Sequence, residues 1–242
     1  MEGGADHGLD HFLRTGLTDL VARWLEADSG LVNVPIEGES PLHLAVSAGR
    51  GGAMVDLLLD HGADVNARDS LDRMPLHAAI ETDDREAIAL LRVRGAEVDL
   101  FAAAGLGETD LSARLLAEHP DGARATQADG LTPLFYAAWS GDETTARRLL
   151  DAGADPAPQV RRLWACLTPL HVALQRGRRP VTRLLLERGA DPNAFSEDGY
   201  WPTPLQSAAR WGAAEDTCLL VQFGATTTPR NSCIIGEEGV SP

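Results

Sequence analysis

The chain has 242 residues, enough for one or two globular domains, and 44% of them are apolar although only 5% are aromatic. Its formal net charge is −15, and every one of its 21 basic residues is arginine. A surface this acidic repels nucleic acid over most of its area, and no stretch reaches the roughly 20 apolar residues needed to span a bilayer.

In chain order, a degenerate unit is expected first, with Gly8-Leu9 at its head, Gly16 eight residues on and Trp24-Leu25 in its second half. Clearer units follow at Pro41 (SPLHLA), Pro75 (MPLHAA), Pro133 (TPLFYA), Pro169 (TPLHVA) and Pro204 (TPLQSA). The spacings Pro41 to Pro75, Pro133 to Pro169 and Pro169 to Pro204 are 34, 36 and 35 residues, the period of a two-helix repeat. Asp99-Leu100-Phe101-Ala102-Ala103 stands 34 residues before Pro133, so a further unit has lost its proline and kept its phase.

The motif residues have physical roles. Ser or Thr before proline is a helix N-cap worth about 1 kcal/mol. Proline fits the first helical position, where its missing N–H costs nothing. Gly49, Gly107, Gly141, Gly177 and Gly212 fall where a left-handed residue would end a helix of about two turns. Ala45, Ala79, Ala103, Ala137, Ala173 and Ala208 recur at one phase and permit close packing, while Val55, Leu58, Leu59 and Val181, Leu184, Leu185 form apolar stripes on the second helices. No unit can bury its stripe alone, so the units must stack.

These segments resemble ankyrin repeats, whose signature is T-P-L-H-x-A followed by an apolar helix and a glycine-closed turn. The second-half runs LLLDHGADVNA (57–67), LLDAGADPA (149–157) and LLLERGADPNA (184–194) resemble the family as well. The expected fold is an all-α, ankyrin-like helix-turn-helix solenoid with short hairpin connections. Its expected organisation is a flexible N-terminus over 1–7, one solenoid over 8–229 and a disordered tail over 230–242. One connection is missing near residues 95–99, because Pro75 and Asp99 are only 24 residues apart. Arg92 stands there in place of a leucine, read either as a snorkelling side chain or as part of a hinge. The connection 159–166 lacks the usual Asp and Gly turn residues.

No catalytic constellation emerges. His43, His77 and His171 hold the fourth motif position, where the resemblance implies a structural hydrogen bond; as metal ligands they would have to converge across repeats stacked about 10 Å apart. Ser140 lacks the glycines of a nucleophile elbow, and Gly105-Leu106-Gly107 lacks those of a dinucleotide site. Cys166, Cys218 and Cys233 have neither metal-like spacing nor an even number for disulfides, and Cys218 reads as a small core residue. No cofactor, metal or small-molecule substrate is expected. Without a visible secretory signal, the expectation is a cytoplasmic protein, monomeric alone.

In ankyrin-like proteins the partner meets the hairpin tips and the two residues before the helix-ending glycine. Carried onto this chain, the resemblance implies a partner-binding set of Trp139, Ser140, Gln175, Arg176, Arg210 and Trp211, joined by Trp164, Tyr200 and Trp201 in nearby connections. Trp, Tyr and Arg are the side chains enriched at binding hot spots. A core role for Trp139 and Trp211 competes with this reading, and their place beside the terminating glycine favours the surface. Arg161, Arg162, Arg176, Arg178, Arg179, Arg183 and Arg188 form either a positive patch for a negative epitope or a solvated set of helix-end charges. The expected function is non-enzymatic binding of a protein partner. The alternative is an inhibitor or immunity-type protein that masks a basic toxin or enzyme with residues 1–120, which hold 22 acidic and 9 basic side chains.

Overall fold

The computed structural model describes residues 6–49, 51–158, 160–162, 165–194, 203–210 and 214–226. The tail expected over 230–242 lies outside them, as do residues 1–5 of the expected flexible start. The architecture is an all-α helical repeat of the solenoid class, divided into two compact units, residues 1–102 and 103–242.

The first unit contains α1 (Asp6–Thr15), α2 (Thr18–Ala27), a 3-10 turn (Ser29–Asn33), α3 (Pro41–Ser47), α4 (Gly51–Asp60), α5 (Pro75–Glu81) and α6 (Arg85–Val93). Here α3 packs against α1, α4 and α5, and α4 against α2 and α6. α7 (Leu100–Leu106) holds the boundary between the units. In the second unit α8 (Thr109–Glu118) and a 3-10 turn (Pro120–Arg124) precede α9 (Pro133–Ser140) and α10 (Glu143–Asp151). A short antiparallel pair, β1 (Val160–Arg162) with β2 (Ala165–Leu167), leads to α11 (Pro169–Gln175), α12 (Arg179–Glu187), α13 (Pro204–Arg210) and α14 (Ala214–Gln222). Within that unit α11 packs against α9, α12 and α13, and α12 against α10 and α14.

Local chemistry explains these short helices. Each motif proline is the first helical residue, and Ser40, Thr132 and Thr168 accept hydrogen bonds from the backbone N–H three residues on. In α7 Asp99 does this work, accepting from Ala102 N–H at 2.9 Å. α6 ends at Val93 and α7 starts at Leu100, whereas α4 and α5 are separated by residues 61–74, so the hairpin expected to be missing near 95–99 is absent. The alanines at the fixed phase are all buried, as are Val55, Leu58, Val181, Leu184 and Leu185; Leu59 is half-buried and Arg92 exposed.

The proline-plus-eight position carries positive φ at Gly49, Gly107, Gly141 and Gly177, and at Asp83, whose φ is 54°. Asp83 thus occupies the glycine slot of its repeat, a conformation that aspartate tolerates better than most side chains. Asparagines tie successive turns together. Asn33 donates to Gly62 O and accepts from Asp64 N–H, and Asn66 does the same with Gly95 O and Glu97 N–H. In the second unit Asn193 serves Gly224 O and Thr226 N–H, while Arg124 Nε donates to Gly153 O at 3.1 Å.

Candidate functional site

The motif histidines are structural. Ser40 Oγ lies 2.8 Å from His43 Nδ1, and His43 Nε2 lies 2.8 Å from Arg73 O, so the hydroxyl donates to the ring and the ring to the carbonyl. Burial lowers the pKa of His43 and favours its neutral form, against smaller opposing effects of the Arg73 carbonyl and the Asp69 charge. His77 Nδ1 accepts from Met74 N–H at 3.1 Å, and its Nε2 meets Asp99 Oδ1 at 2.9 Å. His171 Nδ1 pairs with the Thr168 hydroxyl at 2.9 Å. Among the described residues no cluster of three His, Cys, Asp or Glu side chains could hold a metal.

A buried charge network occupies the first unit. Arg73 bonds Asp69 through Nη2 at 2.8 Å and Nε at 2.9 Å, and approaches Glu81 at 3.5 Å and Glu39 at 3.8 Å. The side chains of Arg73, Asp69 and Glu81 are 7%, 1% and 6% exposed. Burial would raise the pKa of Asp69, but hydrogen bonds from the Arg73 backbone and guanidinium outweigh it and hold the carboxyl below its ordinary value. Asp99 follows the same logic: burial pushes it up, and the bonds from His77 and Ala102 bring it down further.

In the second unit the ends of α9 and α11 lie together. The Arg176 guanidinium carbon stands 4.1 Å from the Trp139 ring centroid, within cation–π range. Arg176 Nε donates to the Trp139 carbonyl at 3.1 Å, and Arg178 Nε donates to the same oxygen at 3.3 Å. Arg178 crosses directly over Gly141, where a Cβ would sit 2.6 Å from Arg178 Cδ; with φ at +85°, Gly141 satisfies both the backbone and the close approach. Trp139 is half-buried, and its indole Nε1 is buried without a hydrogen-bond partner among the described residues. The ring is therefore neither a pure core side chain nor a freely exposed one.

The other candidate residues divide. Ser140 commits its hydroxyl to internal bonds, donating to Ala104 O at 2.7 Å and accepting from Asp142 N–H at 3.3 Å. Gln175 is half-buried beside Arg176, and Arg210 is exposed at the end of α13. Trp164, Tyr200, Trp201 and Trp211 lie outside the described residues. Arg178 belongs to this site although only its place in the arginine run drew attention to it. That run is partly neutralised: Arg179 pairs with Glu215 and with Asp216 at 3.1 Å, and Arg188 with Asp151 at 2.8 Å.

Cys218 is exposed, which corrects its reading as a core residue. α14 buries Asp216, Leu219 and Leu220, and Cys218 falls on the other side of the helix. No helix among the described residues is long and apolar enough to cross a membrane.

Comparison with known proteins agrees with the repeat geometry. Residues 12–102 and 99–160 match the family model of ankyrin repeats in three copies, and residues 166–197 match that of a single ankyrin repeat. The chain is 33% identical over 155 residues to the Neurogenic locus Notch protein of Drosophila melanogaster, covering 63% of this chain and 5% of that protein. It is 43% identical over 83 residues to the Neurogenic locus notch homolog protein 2 of Homo sapiens, covering 34% and 3%. With an ankyrin and IPT/TIG repeat-containing protein of Schizosaccharomyces pombe it shares 38% identity over 96 residues, covering 40% and 8%. It thus matches only a small part of the length of each of these relatives. With phase, capping and family models in agreement along most of its length, the chain belongs to the ankyrin-repeat family.

Proposed function

We propose that the chain is a non-enzymatic module that binds a protein partner through the concave face and hairpin tips of its C-terminal repeats. Ankyrin repeats are in general protein–protein interaction modules. The observation that carries the finer reading is the stack of Arg176 on Trp139, held by a second bond to the Trp139 carbonyl. Side chains ordered before binding lose little entropy on association, and Trp and Arg dominate binding energies elsewhere. Ser140, Gln175 and Arg210, with Trp164, Tyr200, Trp201 and Trp211, complete the proposed surface. Monomeric behaviour alone and a cytoplasmic setting belong to the same reading.

The test is capture of binding proteins by the immobilised chain, followed by affinity measurement on the identified partner. A combined Gln175→Ala, Arg176→Ala and Arg210→Ala variant leaves the half-buried Trp139 in place. It is expected to weaken binding at least about tenfold, the effect of losing one hot-spot side chain. Unchanged affinity would remove these repeats from the interface. The charge balance of residues 1–120, with 22 acidic and 9 basic side chains, supports a second reading in which that half masks a basic protein. Under it, Asp64→Asn with Asp72→Asn weakens binding and the helix-end variant does not.

A further inference from the structure

We infer that the surface made by Trp139, Arg176 and Arg178 receives a carboxylate-bearing segment of a protein partner. The inference rests on the interaction reading above and adds the chemistry of what is bound. Arg176 Nε and Arg178 Nε both donate to a neutral acceptor, the Trp139 carbonyl, at 3.1 and 3.3 Å. Among the described residues that carbonyl is the hydrogen-bond acceptor of Arg178. Arg73, Arg94, Arg179 and Arg188 each meet a carboxylate of the chain itself. A guanidinium bonded to a carboxylate gains roughly twice the strength of a neutral bond, so Arg178 gains from an anion supplied from outside.

The acidic side chains next in sequence are committed elsewhere. Asp142 accepts from Thr145 N–H, from the Thr145 hydroxyl and from the Thr109 hydroxyl, and Glu143 pairs with Arg147 at 2.6 Å. The buried indole N–H of Trp139 has no acceptor among the described residues, although buried Trp N–H groups as a rule find one, so the ring reports on rearrangement of the arginines above it. The stack on the ring fixes the plane of the Arg176 guanidinium, which suits bidentate recognition of a planar carboxylate. Two guanidinium groups thus meet at one helix-end surface, and the ligand that complements them is an Asp or Glu side chain or a chain-terminal carboxylate.

The experiment is a titration of the full 15N-labelled chain followed at its indole N–H resonances. The Trp139 signal is identified by its loss in Trp139→Phe. A short, end-blocked glutamate-rich peptide is expected to shift that resonance saturably, and a glutamine-rich peptide of equal length is not. Arg178→Gln is expected to raise the Kd roughly tenfold, as loss of a charge-assisted bond does, while Arg114→Gln on the exposed side of α8 changes it less than about twofold. An unmoved Trp139 resonance, an equal response to the glutamine peptide, or unchanged binding by Arg178→Gln would overturn the inference. The peptide titration of the unaltered chain decides even where Arg178→Gln is poorly stable. A captured partner that binds Arg178→Gln with full affinity yet is lost by the combined helix-end variant would leave the interaction module standing and remove the carboxylate.

Discussion

The residue six positions past the motif proline is Glu81 in one repeat and Trp139 in another, and the two are used in opposite ways. Glu81 turns to a buried arginine that also holds Asp69 and Glu39, so the charges of that network are answered within the chain. Trp139 lies under Arg176 and offers its carbonyl to two arginines, with its indole N–H left without an acceptor among the described residues. One repeat position can therefore seal a fold or, on the function proposed above, prepare a surface. What separates the two is whether the counter-charge is already inside the protein.

Removing the arginine of the sealed network should have the largest effect on stability. Arg73→Met leaves Asp69 and Glu81 buried without their counter-ion, and urea unfolding should show a loss of about 3–5 kcal/mol, the usual cost of breaking a buried ion pair from one side. A loss near zero would mean that these carboxylates are already solvated or protonated.

Acid should loosen the same unit in two steps. His43 is held neutral, so an unfolded chain that takes up a proton near pH 6.5 gains on the folded one, and stability falls as the pH drops below that value. Asp69 and Asp99 have lowered pKa values, so their contribution is complete above the ordinary carboxylate range and is lost as pH falls through their folded-state values, below about 4. Unfolding midpoints followed from pH 8 to pH 3 check both steps, and His43→Gln should flatten the first.

At the prepared surface the expected changes are smaller. Gly141→Ala meets both positive φ and the crossing Arg178 side chain, and should cost about 1–2 kcal/mol while displacing that arginine. Gly49→Ala has the same backbone problem with open space around it and should cost less, read as a difference in melting temperature. The smallest effect belongs to Asp83→Gly, which relieves a left-handed aspartate at the price of a more flexible unfolded chain; the expected net gain is at most about 0.5 kcal/mol.

Much of the fold was legible in the sequence because its signals are local. Proline at the first helical position, the hydroxyl cap before it and the left-handed residue eight positions on each act over a few residues, so their phase located the unit at Asp99 and the short connection after Gly95. Asp83 was missed in the glycine slot because aspartate there resembles any turn residue. Arg73 was missed for a different reason. It stands two residues before its proline, where two other units have Leu131 and Leu167, and an arginine in that slot reads as solvent-facing until the carboxylates around it are seen. Cys218 was misplaced because an apolar run does not tell which side of α14 faces the neighbouring helix. At the candidate site, the residue types at the helix ends were readable, but the convergence of Arg176 and Arg178 on one carbonyl depends on residues more than 35 positions apart.

The most direct measurement of the central claim is hydrogen exchange of the full chain with and without its captured protein partner. Binding through the C-terminal repeats predicts slowed exchange of the amides at the ends of α9 and α11, residues 139–141 and 175–178, with little change in the first unit. Protection confined to residues 37–118 would contradict it and leave the acidic half of the chain as the binding surface.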